Sequence, residues 1–389
     1  MASSFSACSP RLLAPVLLVL LALAASCAEE QPVEPVTNPP FNHGIHFDDT
    51  TTLDYVWEVH EVAPPNLANF MIAVAAIDRD NIHIAAEMTP DDTVIVVNGT
   101  HTSKSTNAVH WDGSRFRYYR LGTKSVSPGW AFGQFMDVFP HEGQGMYSNG
   151  YGFTDFLPSG LLHLPFENRQ SLNAYYGTCF QGSSGRIICW SAQFGAGFVE
   201  DLSKPRFQEI VGIEPPAYFR DFEEIGRDDY LYLVSNFYSR SVIRRVGGMA
   251  VPKYNFYGPD SLFRRAEALH TCDTLLYIVS AKYLYLESSR NPNNFASMPL
   301  THLYRPGERM GSIFIVEGDA PNNVFFGGGY GNLLHFNGRS VVKIRTLGSL
   351  QLDELYIRDI SIFDKGIAVV CQERFSIGRQ YLVIGKARE

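Results

Sequence analysis

From residue 54 onward the chain alternates short apolar runs with turn residues. DYVWEVHEV (54–62), NVFFGG (323–328) and GNLLHF (331–336) are typical, each bounded by Gly, Asn, Asp or Pro. No segment keeps apolar residues at a 3.6 period for the length of a helix, so the pattern predicts an all-β chain. Candidate inner-strand starts fall near residues 70, 134, 174, 218, 265, 311 and 356. Their spacing of roughly 40 to 60 residues is close to that of four-stranded propeller blades.

Internal similarity supports a repeat. NAVHWDG (107–113) and NLLHFNG (332–338) share Asn, His, an aromatic residue, Asp or Asn, and Gly at matched places. Upstream, DRDNIHIAA (78–86) answers to APNNVFFGG (320–328), with a longer insertion between the two motifs in the first copy. His110, Trp111 and Asp112 stand together in a way that invites a catalytic reading. Neighbouring strand residues alternate between faces, however, and Asp-Gly or Asn-Gly between apolar runs signals a type I′ hairpin. A hairpin is therefore expected at both places. Weaker copies carry an aromatic, an apolar residue and Arg-Asp, as in YFRD (218–221) and YIRD (356–359), and QFMD (134–137) has the same Asp placement.

The ends fit a closed ring. Residues 311–346 supply four strands, whereas the last unit supplies three before the sequence ends, and the orphan strand at 54–62 can complete it. Closure of this kind removes an exposed edge. The expected fold is a seven-bladed β-propeller over residues 51–389 closed by an N-terminal strand, with six blades as the alternative.

The 389 residues are 45% hydrophobic and carry a formal net charge of −8, which argues against nucleic acid as a partner. Residues 1–26 read as a signal peptide, with Arg11 ahead of LLAPVLLVLLALAA and small residues before Cys27. Cys27 after Ala-Ala-Ser resembles a lipobox cysteine, with Ala24 where Leu is more usual. Lipidation there is the expectation, and ordinary cleavage nearby is the alternative. Residues 27–50 are rich in Pro and acids and read as a flexible tether, so His43, His46, Asp48 and Asp49 have no geometry in which to hold a metal.

Cys179 and Cys189 flank a Gly/Ser turn and can face each other across a hairpin. A disulfide and two buried thiols both remain open, while Cys272 and Cys371 read as core residues.

The combination of DRDNIHIAAE, NAVHWDG and SIFIVEGDAPNNVFFGGGYGNLLHFNG resembles a group of bacterial propeller lipoproteins. Their repeats read approximately DENNIWAVGE, NAAHWDG and SSNDIYFVGxxGTIxHYNG. The similarity spans most of residues 54–389, although His83 and Ala85 replace the group's usual Trp and Val or Ile. Its motifs are structural; some members carry a glucosyltransferase label, but no activity follows from the blades. The resemblance implies a bacterial envelope protein on a lipid anchor, in the outer membrane on its periplasmic or its surface side. Beyond the leader no stretch is apolar for long enough to cross a membrane.

Motif chemistry is sparse. HExxH, GxSxG and Walker patterns are missing, and the run FFGGGYGNLLHF (325–336) joins strand to strand rather than strand to helix, so it does not cradle phosphate. Asn98-Gly99-Thr100 is a formal glycosylation sequon without further support. No cofactor or metal is expected. Arg220 and Arg358 hold equivalent places, each before an aspartate, Asp221 or Asp359. Two readings follow: a paired grip on a carboxylate or sulfate inside the channel, or ties between blades. Glu87 at the end of its strand has the same status. A monomeric, non-enzymatic binding or scaffold module for a glycan, peptide or envelope protein is favoured. The alternative is a hydrolase or lyase acting on carbohydrate in the propeller funnel, which requires carboxylates, or a His with a carboxylate, converging in a pocket.

Overall fold

A computed structural model of the chain describes residues 55–63, 70–88, 94–97, 100–103, 106–119, 137–148, 152–157, 160–165, 177–182, 184–191, 195–200, 208–212, 218–235, 239–257, 266–273, 275–288, 295–373 and 378–388. The leader, Cys27, the tether and Asn98 lie outside the described residues. No described helix is long and apolar enough to cross a membrane.

Seven antiparallel four-stranded sheets form the blades of a β-propeller. Their innermost strands are Phe70–Asp78 (blade 1), Asp137–His141 (blade 2), Gly177–Gln181 (blade 3), Tyr218–Gly226 (blade 4), Ala266–Cys272 (blade 5), Ile313–Ala320 (blade 6) and Leu355–Phe363 (blade 7). Blade 7 takes its outermost strand, Tyr55–Ala63, from the other end of the chain, paired against Gln380–Ala387. The extra length in the first repeat includes a two-stranded ribbon, Val94–Val97 with Thr100–Ser103.

Each blade is buried on both faces, so its central strands are almost uniformly apolar: Leu275–Ser280 is buried throughout. The core is correspondingly divided among the blade interfaces. Ala73, Ala85 and Ala108 of blade 1 meet Val138 and Tyr147 of blade 2. Blades 2 and 3 share Phe139, Met146 and Ile187, and blades 3 and 4 share Ile188, Phe219 and Tyr232. Leu233 packs with Ile278, Tyr277 with Phe326, and Phe325 with Val383 across the next three interfaces. Val74, Ile84 and Trp111 of blade 1 then meet Val370 and Leu382 of blade 7, which completes the ring.

The closing strand reaches beyond its own sheet. Tyr55 packs edge-on against Phe325 of blade 6 at 6.1 Å, and His60 lies 4.2 Å from Trp111 of blade 1. Glu58 accepts from Arg79, and Tyr118 donates to the Val62 carbonyl. It therefore touches the neighbours on both sides.

The two best repeats share a working part. His110 Nε2 lies 3.0 Å from Asn81 Oδ1, and His335 Nε2 lies 2.8 Å from Asn323 Oδ1. The matched motif positions thus place an asparagine and a histidine on adjacent strands in both copies, although the two are 29 residues apart in the first and 12 in the second. His83 stacks on His110 at 4.5 Å, and burial lowers its pKa to about 3, so this pair of rings is neutral. Gly145 provides the room, since a Cβ there would come within 2.3 Å of the His83 ring. The hairpins after each histidine are present, but their turns are not type I′. Trp111 pairs with Phe116, leaving a four-residue loop in which Asp112 Oδ1 accepts from the Ser114 and Arg115 N–H groups. Asn337 does the same for Arg339 and Ser340. A side chain that can mimic a turn's backbone acceptor makes the second positive φ unnecessary, and only Gly113 and Gly338 adopt one.

Cys179 and Cys189 are cross-strand partners in blade 3 and form a disulfide. Cys272 and Cys371 are free and buried. The turn beyond the disulfide is tied to blade 4: buried Arg186 donates to Glu224 at 2.8 Å and to Tyr230 at 2.8 Å, and Ser184 donates to both Glu224 oxygens.

Candidate functional site at the channel mouth

The innermost strands carry a shared irregularity near their starts. In five blades one residue is pushed out of the ladder: Ile72, Arg220, Glu267, Phe314 and Arg358. A bulge re-aims the displaced side chain. Phe219, just before Arg220, and Phe222, two residues after it, are committed to blade interfaces, so an exposed bulge residue on an innermost strand has the central channel as its outlet. Arg220, Phe314 and Arg358 are all exposed. Blades 4 and 7 are three steps apart in a ring of seven, which brings the two arginines to the axis from nearly opposite sides.

Arg220 and Arg358 are held in the same way. Arg220 Nε donates to Ser235 Oγ at 3.0 Å, and Arg358 donates through Nε and Nη2 to Gln372 Oε1 at 3.1 and 2.8 Å. Ser235 and Gln372 occupy matching places on the second strands, opposite Tyr218 and Tyr356. Both partners are neutral. Among the described residues neither guanidinium is paired with a carboxylate, so the expected Arg–Asp ion pair between blades is replaced by a different arrangement.

The aspartates make the ties by themselves. Asp359 accepts from Val74 N–H of blade 1 at 2.8 Å, Asp221 from Leu269 N–H of blade 5 at 2.8 Å, and Asp137 from Cys179 N–H of blade 3 at 2.8 Å. Asp137 and Asp221 also hold the following amide of their own strand. These N–H groups lie on the free edge of an innermost strand, where no ladder partner exists, and a buried amide left unpaired is costly. Blade 7 supplies two more such acceptors to blade 1, with Gln380 taking Met71 N–H and Ser361 taking Ala76 N–H.

Two residues further along lies a third tier. Glu223 Oε1 is 3.0 Å from His270 Nδ1, and His270 Nε2 is 3.3 Å from the Gly318 carbonyl, so blades 4, 5 and 6 meet at one imidazole. Burial opposes protonation of His270, but Glu223 and its neighbours outweigh it and hold the pKa well above 6.5. With both nitrogens facing acceptors, the ring is an imidazolium donating twice. It has no lone pair left for a general base.

Glu317 lies beside this group. Burial and the charges of Asp359, Glu223 and Asp221 raise its pKa to about 8, against the opposing pull of His270. Burial, offset by the backbone hydrogen bonds, leaves Asp221 and Asp359 at about 7, and Asp137 is raised as well. The channel below the arginines is therefore acidic and partly protonated near neutrality. No metal-ligating cluster of His, Cys, Asp and Glu exists among the described residues.

Of the residues singled out in the sequence, the structure brings Arg220, Asp221, Arg358 and Asp359 to one level of the ring. Glu87 is the last residue but one of the second strand of blade 1, Asn81–Met88, opposite Phe70, and its side chain lies outside the described set. Glu267, Phe314, His270 and Glu317 were missed. Aligning the blades on the Arg-Asp step would have found them, because Glu267-Ala-Leu-His270 and Phe314-Ile-Val-Glu317 match Arg220-Asp-Phe-Glu223 place for place.

No protein-family model matches the sequence, and no curated protein matches it. Among solved structures the chain is similar to YCF48 bound to D1 peptide, with 13% identity, 88% of this chain and 98% of that chain covered, and a TM-score of 0.58. YCF48 from Cyanidioschyzon merolae is 9% identical over 84% of this chain and 98% of that one, at a TM-score of 0.55. The Dos1 propeller is 9% identical over 85% and 95%, at 0.53. At such identities the likeness establishes the fold, a β-propeller.

Proposed function

We propose that this chain is a binding module of the bacterial cell envelope that takes a peptide or protein segment at the mouth of its channel. The observation that carries this reading is the pair Arg220 and Arg358, exposed at equivalent bulges and held by neutral partners, so that their charge is available to a ligand. A propeller of the same fold bound to a peptide lends support. The carboxylates beneath have structural duties toward backbone amides or His270, which favours binding over a carbohydrate hydrolase or lyase. Attachment through lipid on Cys27, behind the leader, belongs to the same proposal.

Two experiments test it. Ligand that binds the native state alone raises the melting temperature. Short glutamate-containing peptides, their glutamine counterparts, and neutral and acidic oligosaccharides are screened for this effect on the full chain. Stabilisation by the acidic peptides is expected; stabilisation by oligosaccharides alone, or by nothing, would overturn the peptide assignment. For the anchor, a palmitate analogue should label the native chain in bacterial cells and not Cys27→Ser, and equal labelling of both would refute lipidation at that cysteine.

A further inference from the structure

The glycine-rich run at 325–336 does a different job from phosphate binding. It ends the second strand of blade 6 in a loop that holds Tyr330 at φ 56, a conformation uncommon for a bulky residue. The loop is clamped from both sides. Gly329 N–H donates to the Ser312 carbonyl at 3.0 Å, and Gly331 N–H donates to the Leu355 carbonyl at 2.7 Å. A Cβ on Gly331 would sit 1.9 Å from the Leu352 carbonyl oxygen, so glycine is required there.

Tyr330 is thereby set against blade 7, with its ring 5.6 Å from that of Tyr356. Arg358 stands over Tyr356 at 5.8 Å, and Arg309 stands over Tyr330 at 5.7 Å. The four side chains form a continuous ladder from Arg309 to Arg358, with exposed arginines at its ends and half-buried tyrosines between. Arg309 comes from the connection between blades 5 and 6, which is pinned one residue earlier. Glu308 accepts from Lys343, from Arg345 and from the Arg305 N–H, while Tyr304 donates to Asn332. A guanidinium resting on an aromatic face has little freedom left to lose, and its N–H edge stays open to a carboxylate.

We infer that this ladder extends the channel-mouth site into an anion-reading groove for an extended acidic peptide with two carboxylates, one for Arg309 and one for Arg358. The inference rests on the proposed binding role of Arg358. Three ladder steps of 5.6 to 5.8 Å bound the separation of the guanidiniums, a span that an extended peptide covers in about five residues. The acidic tiers below keep such a ligand at the rim. In a chain of net charge −8, neither Arg309 nor Arg358 has a carboxylate partner among the described residues, and two such guanidiniums select an acidic partner.

Fluorescence anisotropy on the full chain tests the ladder. The probes are fluorescein-labelled Gly/Ser peptides carrying two glutamates four residues apart, one glutamate, or glutamines only. The two-glutamate peptide should bind about tenfold more tightly than the one-glutamate peptide. Arg309→Ala should abolish that difference, bringing the two-glutamate peptide down to the affinity of the one-glutamate peptide, with the melting temperature preserved. Tyr330→Gly, which relaxes the backbone while removing the ring, should act like Arg309→Ala, and Tyr330→Phe should behave as the native chain. If Arg309→Ala keeps the preference for two glutamates, the ladder is not the reader. If Arg358→Ala weakens both acidic peptides while Arg309→Ala weakens neither, the arginine pair stands and the ladder falls. Binding of acidic oligosaccharides with no binding of either acidic peptide would overturn the inference as well.

Discussion

Asp359, on the innermost strand of blade 7, accepts the N–H of Val74, on the innermost strand of blade 1, at 2.8 Å. The two residues are 285 positions apart in sequence, so one carboxyl helps to fasten the beginning of the propeller to its end. Asp359→Ala leaves that amide without its acceptor, at about 1–3 kcal/mol for a buried orphan donor. The melting temperature should fall by a few degrees. Arg358→Ala, one residue earlier and itself exposed, takes both donors from the Oε1 of buried Gln372 but opens that oxygen to channel water, so the loss should be smaller, about 1 kcal/mol or less. Thermal melts of the two variants side by side check this, and equal losses would mean that the arginine shares in the tie.

The acidic tiers give the fold a pH dependence of definite sign. Glu317 in the folded chain keeps its proton up to about pH 8, against an ordinary value of 4.5. Between those values the native state binds more protons than the unfolded one, so stability falls as pH rises. His270, whose pKa is raised, works in the same direction: its stabilising contribution is complete below 6.5 and is lost as pH climbs through its folded value. Glu317→Gln should flatten the melting temperature between pH 5 and pH 8, and should exceed the native value at pH 8. A slope identical to that of the native chain would show that Glu317 is ionised throughout.

Ring closure can be tested by truncation. Removing residues 51–62 takes away nearly all of the outermost strand of blade 7, with the contacts of Tyr55 to Phe325 and of His60 to Trp111. An open sheet edge and an uncovered apolar face should follow, seen as a lower melting temperature and concentration-dependent aggregation. Removing residues 28–45 should have almost no effect. Equal melting of the two truncations would contradict the closing role of the strand.

Much of this architecture was legible because it repeats. The hydrophobic pattern placed the innermost strands near 70, 218 and 356, where strands begin at Phe70, Tyr218 and Leu355, and the unpaired strand at 54–62 pointed to its partner. The Arg-Asp step was visible too, but not its division of labour. A bulge changes where a side chain points without changing the hydrophobic period, so Arg220 and Asp221 look like one motif and act as two. The ladder was illegible for another reason. Arg309, Tyr330 and Tyr356 come from separate connections and strands, and only the clamped glycine loop brings them into line. The turn after Trp111 was misread because Asp-Gly suits two loop geometries, and the Asp112 side chain decides between them.

The most direct measurement is the affinity of a fluorescein-labelled glutamate peptide for the full chain, for Arg220→Ala and for Arg358→Ala, with a thermal melt of each protein. Loss of a charge-assisted contact should weaken binding by about 1.5–3 kcal/mol, or roughly one to two decades, while the melting temperature stays within a degree or two of native. Unchanged affinity in both variants, or a loss of affinity that merely follows a large fall in melting temperature, would contradict a binding site built on these two arginines.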